Sequence, residues 1–343
     1  MIKRLTALTL ALLLFVPALY AETGSWSQIN QTIVRPEGWR KIVTHTDFPL
    51  GKREKSAQYP GIYVQHFGSY PSLDGSTVSV PLGMELARQH LDLEESDLNG
   101  FVAFSTTHSA YERLIHQKPN PDSAILSMNA AMEQDKSVNL ILATEPSREE
   151  EAMAKQAGVE LVKVPFCYDA FVFLVNAENP VDSLTADQIR GIYTGRFRAW
   201  NEVGSTESAA IEAYQRPPNS GSQTAMENMV MKGLRLAAAK ENYISDGMAD
   251  IVQQVGNYDN GRYALGYSYL FYVNRLFQQT GLKVLKVDGV TPTQETMRSK
   301  LYPFTVRYYT VYRKGDSEAE RFARWLTGEE GQLCVKQAGY IPL

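Results

Sequence analysis

The chain is 343 residues long, 44% hydrophobic and 21% charged, with a formal net charge of −4. That is an ordinary globular composition, long enough for two lobes that each carry a core. The acidic balance and the absence of a basic tract exclude a nucleic-acid binder working through its overall field, so an anion would have to be held by a local site.

The N-terminus reads as an address. Lys3 and Arg4 precede an apolar run at 5–16, followed by Pro17, Ala18 and Ala21. This is the pattern of a secretory signal peptide (residues 1–21) cut after Ala21. Cleavage leaves 322 residues and a net charge of −6. The apolar run is too short to span a bilayer comfortably, and no later stretch is long and apolar enough to try. A lipid-anchored form needs a Cys just after the run, whereas the first is Cys167. The expected location is therefore periplasmic or secreted. Residues 22–58, polar with scattered aromatics, read as an N-terminal extension.

From there one unit recurs: an apolar strand, a hydroxyl-rich turn, then a helix. Alternation of this kind predicts an α/β fold with mostly parallel sheet. The first instance runs from Ile62-Tyr63-Val64 through Asp74-Gly75-Ser76-Thr77 into a helix ending at His90. The second is a strand at 101–104, Ser105-Thr106-Thr107, and a helix to His116. The third is a strand at 139–143, Thr144-Glu145-Pro146-Ser147, and a helix over 148–156, with Ser147 and Glu150 forming a capping box. The fourth joins a strand at 211–214 to a helix over 225–232 through Gln215-Arg216-Pro217-Pro218-Asn219-Ser220-Gly221-Ser222-Gln223-Thr224.

The fourth turn says the most about chemistry. The first turn of a helix has unpaired N–H groups and a partial positive charge. Gly221 lets the backbone approach a ligand, Ser220 and Ser222 add hydroxyl donors, and Arg216 supplies a planar fork for two oxygens of a phosphate or carboxylate. Each turn also has a plainer role, because Ser, Thr and Asp are good helix caps, worth ~1 kcal/mol each. Turns that follow parallel strands gather at their carboxyl ends, where they can converge on one ligand.

Three further features complete the chain. Cys167 and Cys334, the only cysteines, are open to pairing in an oxidising compartment or to standing as separate buried thiols. The five histidines show no metal-ligand spacing, so no metal and no cofactor are expected. Near the C-terminus Ser317 and Glu320 form a second capping box, with Phe322, Trp325 and Leu326 on one apolar face before Gly328.

Together these residues resemble the phosphate-binding proteins of bacterial ABC uptake systems. Asp74-Gly75-Ser76-Thr77 followed by Pro81-Leu82 resembles that family's first anion-binding loop. The block at 184–195, with Trp200-Asn201-Glu202-Val203-Gly204, resembles a family segment that has no ligand role. Arg216 with Ser220-Gly221-Ser222 is similar to an Arg-x-x-x-Ser-Gly-Thr element, with Ser in place of the final Thr. Ala264-Leu265-Gly266-Tyr267 resembles the returning hinge strand. Tyr302-Pro303-Phe304-Thr305, Glu330-Gly331-Gln332 and Gly339-Tyr340-Ile341-Pro342-Leu343 resemble the C-terminal pattern.

The resemblance implies a two-lobed type II periplasmic binding protein fold, each lobe a mostly parallel sheet flanked by helices, with the ligand cleft between them. Lobe 1 would comprise 59–168 and 267–343, with 22–58 as its extension, and lobe 2 would comprise 169–266 with two hinge strands. It implies a small oxyanion ligand, most simply phosphate, and a membrane ABC permease as partner, with no nucleic acid and a monomeric state. Carried over by position, Ser76 and Thr77, Thr106 or Thr107, and Ser147 would line the anion from one lobe. Arg216, Ser220, Gly221 and Ser222 would do so from the other. Glu145 stands where some members have an Asp that accepts the proton of a protonated phosphate, which would repel a fully ionised oxyanion. Asp169, near the hinge, reads as an anchor. The second loop lacks the family's usual glycines and the third adds Arg148, so another oxyanion or a small acid stays open as ligand. Two other classes stay open as well. One is a ligand-sensing or surface interaction protein of the same fold. The other is a phosphoester hydrolase, against which stands the absence of a Gly-x-Ser-x-Gly elbow or a motif-placed His–Asp pair. No enzyme is expected.

Overall fold

The computed structural model describes residues 35, 37–55, 57, 63–91, 93, 98, 101–119, 132–134, 136–239, 244, 248–256, 261–276 and 281–343. The expected signal peptide at 1–21, residues 22–34 of the expected extension, and Ile62 lie outside them. The chain divides into two units, 1–35 and 36–343. Only Arg35 of the first is described, and the fold belongs to the second.

In chain order the strands are β1 (Arg53–Lys55), β2 (Tyr63–Gln65), β3 (Leu73–Gly75), β4 (Met132–Gln134), β5 (Leu140–Ala143), β6 (Leu161–Asn176), β7 (Ser183–Leu184), β8 (Glu212–Ala213), β9 (Ala264–Tyr269), β10 (Leu282–Val284), β11 (Lys286–Val287), β12 (Thr305–Arg313) and β13 (Ile341–Pro342). The helices are α1 (Val80–His90), α2 (Thr107–His116), α3 (Arg148–Gln156), α4 (Ala186–Tyr193), α5 (Gly221–Ala225), α6 (Met248–Gly256), α7 (Gln294–Arg298), α8 (Ser317–Leu326) and α9 (Glu329–Gln337). One eight-stranded sheet dominates, in the order β3-β5-β12-β6-β9-β8, with β10 and β13 also paired to β6.

The 16-residue strand β6 organises everything else. Its second part, 170–176, is an unbroken buried stretch rich in Phe and Val, the composition of a strand covered on both faces. Residues 161–170 pair antiparallel with β12, from Leu161↔Arg313 to Ala170↔Thr305. Residues 171–175 pair antiparallel with β9, from Phe171↔Tyr269 to Val175↔Leu265. The partner changes between Ala170 and Phe171, so the sheet is two half-sheets that share one strand. Pro165 sits at the register irregularity opposite Tyr309, where its missing N–H is tolerated.

Parallel pairing is present in the outer strands of each half, β3 with β5 and β8 with β9. The crossing strands add antiparallel pairs, because β9 and β12 each run back along β6, so the sheet is mixed rather than mostly parallel as expected. Large aromatics pack around the crossing. The Tyr269 and Tyr308 rings meet edge-on at 5.5 Å, and Phe171 lies 5.4 Å from Tyr267. Burial of each such side chain stabilises the fold by roughly 1.5–3 kcal/mol. Their hydroxyls keep partners, as in Tyr302 OH to Phe171 O at 3.0 Å and Tyr340 OH to Val78 O at 2.6 Å. Cys167 and Cys334 are both free and buried, and burial pushes the Cys334 thiol up to about 12.

Several elements depart from the sequence reading. The strand that feeds the first turn is β3 itself rather than 62–64. Residues 102–104 form no strand. Ser105 instead gives its N–H and its hydroxyl to the buried Asp74 carboxylate, both at 2.8 Å, and the Phe104 ring fills the space beside Gly75 and Gly83. α3 and its Ser147–Glu150 capping box stand where expected. α8 is capped one residue early: Asp316 accepts from the Ala319 N–H at 3.0 Å, while Phe322 and Leu326 are buried as the apolar face. α5 begins at Gly221, four residues before the expected start, and runs into a π-helical stretch, Met226–Met231, stopped by Lys232 and Gly233 in left-handed conformations. Residues 39–46 lie against α1 and α9: Trp39 Nε1 donates to Glu85 at 2.9 Å, Thr46 Oγ1 lies 2.7 Å from His90 Nδ1, and Gln337 Nε2 donates to Arg40 O at 2.9 Å.

Candidate functional site

The parallel pairing of β3 and β5, with Gly75 opposite Leu142, brings two turns out side by side at their carboxyl ends. Ser76 donates its N–H to Leu142 O at 3.0 Å, and its hydroxyl lies 3.2 Å from that of Ser79. Gly75 is required here, since a Cβ would stand 2.4 Å from Leu142 O. Asp74, fully buried, accepts from the Gly75 N–H at 2.7 Å and from Ser105, and pairs with Arg113 at 3.0 Å. Burial raises its carboxyl above the ordinary range, against those hydrogen bonds and the Arg113 charge. One carboxylate thus ties the first turn to the second. Thr77 opens the short helical stretch that leads into α1.

The second and third turns are braced against each other. Thr106 caps α2, accepting from the Ser109 N–H at 3.4 Å, and Thr107 is its buried first residue. Ser147 caps α3, and Glu150, the other half of that box, is 3.0 Å from His108 Nδ1 on α2. Tyr111 on α2 donates to Thr144 O at 2.7 Å. Glu145 projects more openly. Its carboxylate is engaged by Lys163, with side-chain exposures of 46% and 34%, and by the Tyr309 hydroxyl.

The second half-sheet contributes the fourth turn. Arg216 is buried, and its N–H donates to Tyr267 OH at 2.9 Å and to Gln223 Oε1 at 3.2 Å. Asn219, in a left-handed conformation, lets the chain turn into α5, and Ser220 caps it through the Gln223 N–H at 3.2 Å. Here the two halves meet. A Cβ on Gly221 would stand 2.7 Å from Thr107 Oγ1 and 2.8 Å from Thr144 Oγ1, so only glycine permits the approach. Tyr269 OH donates to Gly221 O at 2.8 Å, and Asn219 Nδ2 reaches Glu149 at 2.5 Å. Ser222 is completely buried, and its hydroxyl has no hydrogen-bond partner among the described residues. A buried unpaired polar group costs about 1–3 kcal/mol, which an acceptor placed beside it would recover. The π-helical stretch that follows is itself a feature frequent at functional sites.

A cleft of about 540 Å³ opens from this meeting point, lined among others by Thr144, Glu145, Gly221, Thr224, Tyr168 and Tyr269. Of the residues singled out from the sequence, Glu145 and Gly221 line it and Thr107 touches Gly221. Thr106, Ser147 and Ser220 act as helix caps, which uses their oxygens as acceptors and leaves the O–H of each able to donate. Ser76 and Thr77 emerge at the neighbouring strand end, and Arg216 and Ser222 are buried in the second half. The sequence reading missed Thr144, Tyr269 and Lys163. Thr144 stood inside the quoted turn and was passed over; the other two carry no local signal.

Asp169 sits at the point where β6 changes partner. It accepts from Ala170 N at 2.8 Å, Phe271 N at 3.1 Å and the Tyr308 hydroxyl. Burial lifts its carboxyl to about 7, against those three donors.

Two half-sheets joined by crossing strands, each presenting turns to a shared cleft, define a two-lobed binding protein. The chain belongs to the PBP superfamily, whose domain matches residues 129–330. It is similar to the phosphate-binding protein PstS of Borreliella burgdorferi, 24% identical over 182 residues that cover 51% of this chain and 64% of that one. It is also similar to the phosphate-binding protein PstS of Bacillus subtilis, 26% identical over 172 residues that cover 49% and 53%. The chain thus spans between half and two thirds of the length of these relatives. Among solved structures, a substrate-binding protein of Clostridium perfringens with bound phosphate is 26% identical at a TM-score of 0.51, covering 79% of this chain and 98% of that one.

Proposed function

We propose that this chain is a periplasmic or secreted solute-binding protein that captures an oxyanion, most simply inorganic phosphate, and delivers it to an ABC permease. The observation that carries this reading is the meeting of Gly221 with the Thr107 and Thr144 hydroxyls beside the unpartnered, buried Ser222 hydroxyl. Two hydroxyls of the first half meet the start of α5 there, with a buried arginine in the second half. Ser76, Thr77, Thr106, Thr107 and Ser147 serve the anion from one wall. Ser220, Gly221, Ser222 and Arg216 serve it from the other. A few charge-assisted bonds at roughly 1.5–3 kcal/mol each suffice for micromolar binding, about −8 kcal/mol. The named relatives and the phosphate-bound neighbour support phosphate as the anion.

The lobes are 59–168 with 267–343, and 169–266, hinged on β6 and β9. The ligand touches both, so it favours the closed state. The protein works as a monomer and is exported by the leader at 1–21. Binding is favoured over catalysis because, among the described residues, no base is hydrogen-bonded to Ser222, which an activated nucleophile needs.

The test is calorimetric titration of ligand-stripped protein with phosphate. Arg216→Ala is expected to abolish binding while the thermal transition is retained; normal binding by that variant removes this site from the claim. Gly221→Val places two methyls against Thr107 and Thr144 and is expected to weaken binding about a hundredfold or more, roughly 2.7 kcal/mol.

A further inference from the structure

We propose that the cleft is built for a phosphomonoester: a phosphoryl group at the Thr107, Thr144, Gly221 and Ser222 seat, with a ring-bearing organic substituent lying along the tyrosine-lined channel beyond it. The inference rests on the phosphoryl-binding reading of the same site.

Three observations carry it. The first is size. A cleft of about 540 Å³ falls within the roughly 300–1,000 Å³ of pockets that enclose small organic ligands. The second is the wall. Thr144 and Gly221 share the cleft with Tyr168, Tyr302, Tyr309, Met229, Lys300 and Arg307. Tyrosine rings offer flat apolar area with a polar tip, and methionine adapts its shape. The Arg307 guanidinium lies 5.0 Å from the Tyr168 ring centroid and donates to its hydroxyl at 3.2 Å. That arrangement holds the ring in place and sets a cation in the same cleft, suited to a ring face or to a second anionic oxygen.

The third is charge. A site that selects protonated phosphate needs a carboxylate ready to accept from P–OH. Glu145 is the carboxylate in this cleft, and Lys163 and the Tyr309 hydroxyl already engage it. An ester dianion has no P–OH to give, and a bare carboxylate would repel it. With Lys163 in place the pair is neutral, and a proton-free dianion is tolerated.

The test is calorimetry on the purified full chain with inorganic phosphate and with phenyl phosphate, separately and in competition. Phenyl phosphate is expected to bind within about tenfold of phosphate and to be displaced by it. Ala225→Phe, on the cleft wall and outside the phosphoryl seat, is expected to weaken phenyl phosphate at least about tenfold while phosphate affinity stays within about twofold. Retained phosphate binding shows that this variant is folded. Phosphate bound with no detectable phenyl phosphate overturns the ester inference and leaves the phosphate reading standing. Neither ligand bound overturns both. Phenyl phosphate that binds the wild type and Ala225→Phe alike, or that fails to compete with phosphate, places the ester elsewhere and overturns the inference.

Discussion

Asp74 and Asp169 are comparable in burial, at 0% and 3% exposure, and both accept backbone N–H groups. They differ in their counter-charge. Asp74 faces Arg113 at 3.0 Å and ties the turn at 74–77 to the turn at 105–107. Among the described residues Asp169 has only neutral donors, from Ala170, Phe271 and Tyr308, and it ties together the strands that cross between the halves. The first two turns are therefore braced by an ion pair, whereas the crossing depends on a carboxylate that burial pushes up to about 7. A rigid wall suits a site whose donors must be preset. A crossing with a neutral-pH proton is a place where its conformational balance can respond to its surroundings.

The largest expected effect is at the wall. Asp74→Ala leaves Arg113 largely buried without its carboxylate, and removing one partner of a buried pair costs about 3–5 kcal/mol. Urea unfolding is expected to show a loss of that order; a loss below about 1 kcal/mol would mean that the pair does not brace the turns. The next effect is at the crossing. An unfolded-chain aspartate titrates at about 3.9, so the native protein holds this proton more tightly than the unfolded chain does. The stability it contributes is full below pH of about 4 and is lost as pH rises through about 7. The stability of wild type relative to Asp169→Asn should therefore fall across that window, by at most about 1.4 kcal/mol per pH unit. Parallel profiles for the two proteins would remove the distinction between the aspartates. The smallest effect is at the exposed pair: Lys163→Met should change stability by less than about 1 kcal/mol, because both side chains remain in contact with water.

Some of this was legible from local sequence. The Ser147–Glu150 box put α3 in place to the residue, since a cap and its partner three residues on are a short-range device. The hydroxyl turns at 74–77, 105–107, 144–147 and 216–222 were recognised for the same reason. The strand expected at 101–104 failed because its apolar residues serve packing, while Ser105 turns to Asp74. The start of α5 was misplaced because its cap, Ser220, lay inside a turn read as loop.

What the sequence determined by itself is the set of local choices: which runs extend, where helices start, which turns carry hydroxyls, and that the fold is α/β with a family resemblance. Those follow from propensity, periodicity and capping over a few residues. The tertiary structure alone decided that Gly221 meets Thr107 and Thr144, that Lys163 engages Glu145, and that Asp74 takes Arg113 while Asp169 takes none. These contacts join residues far apart in the chain, and they exist because β6 serves two half-sheets at once. No local pattern encodes which distant side chain fills the space a glycine leaves.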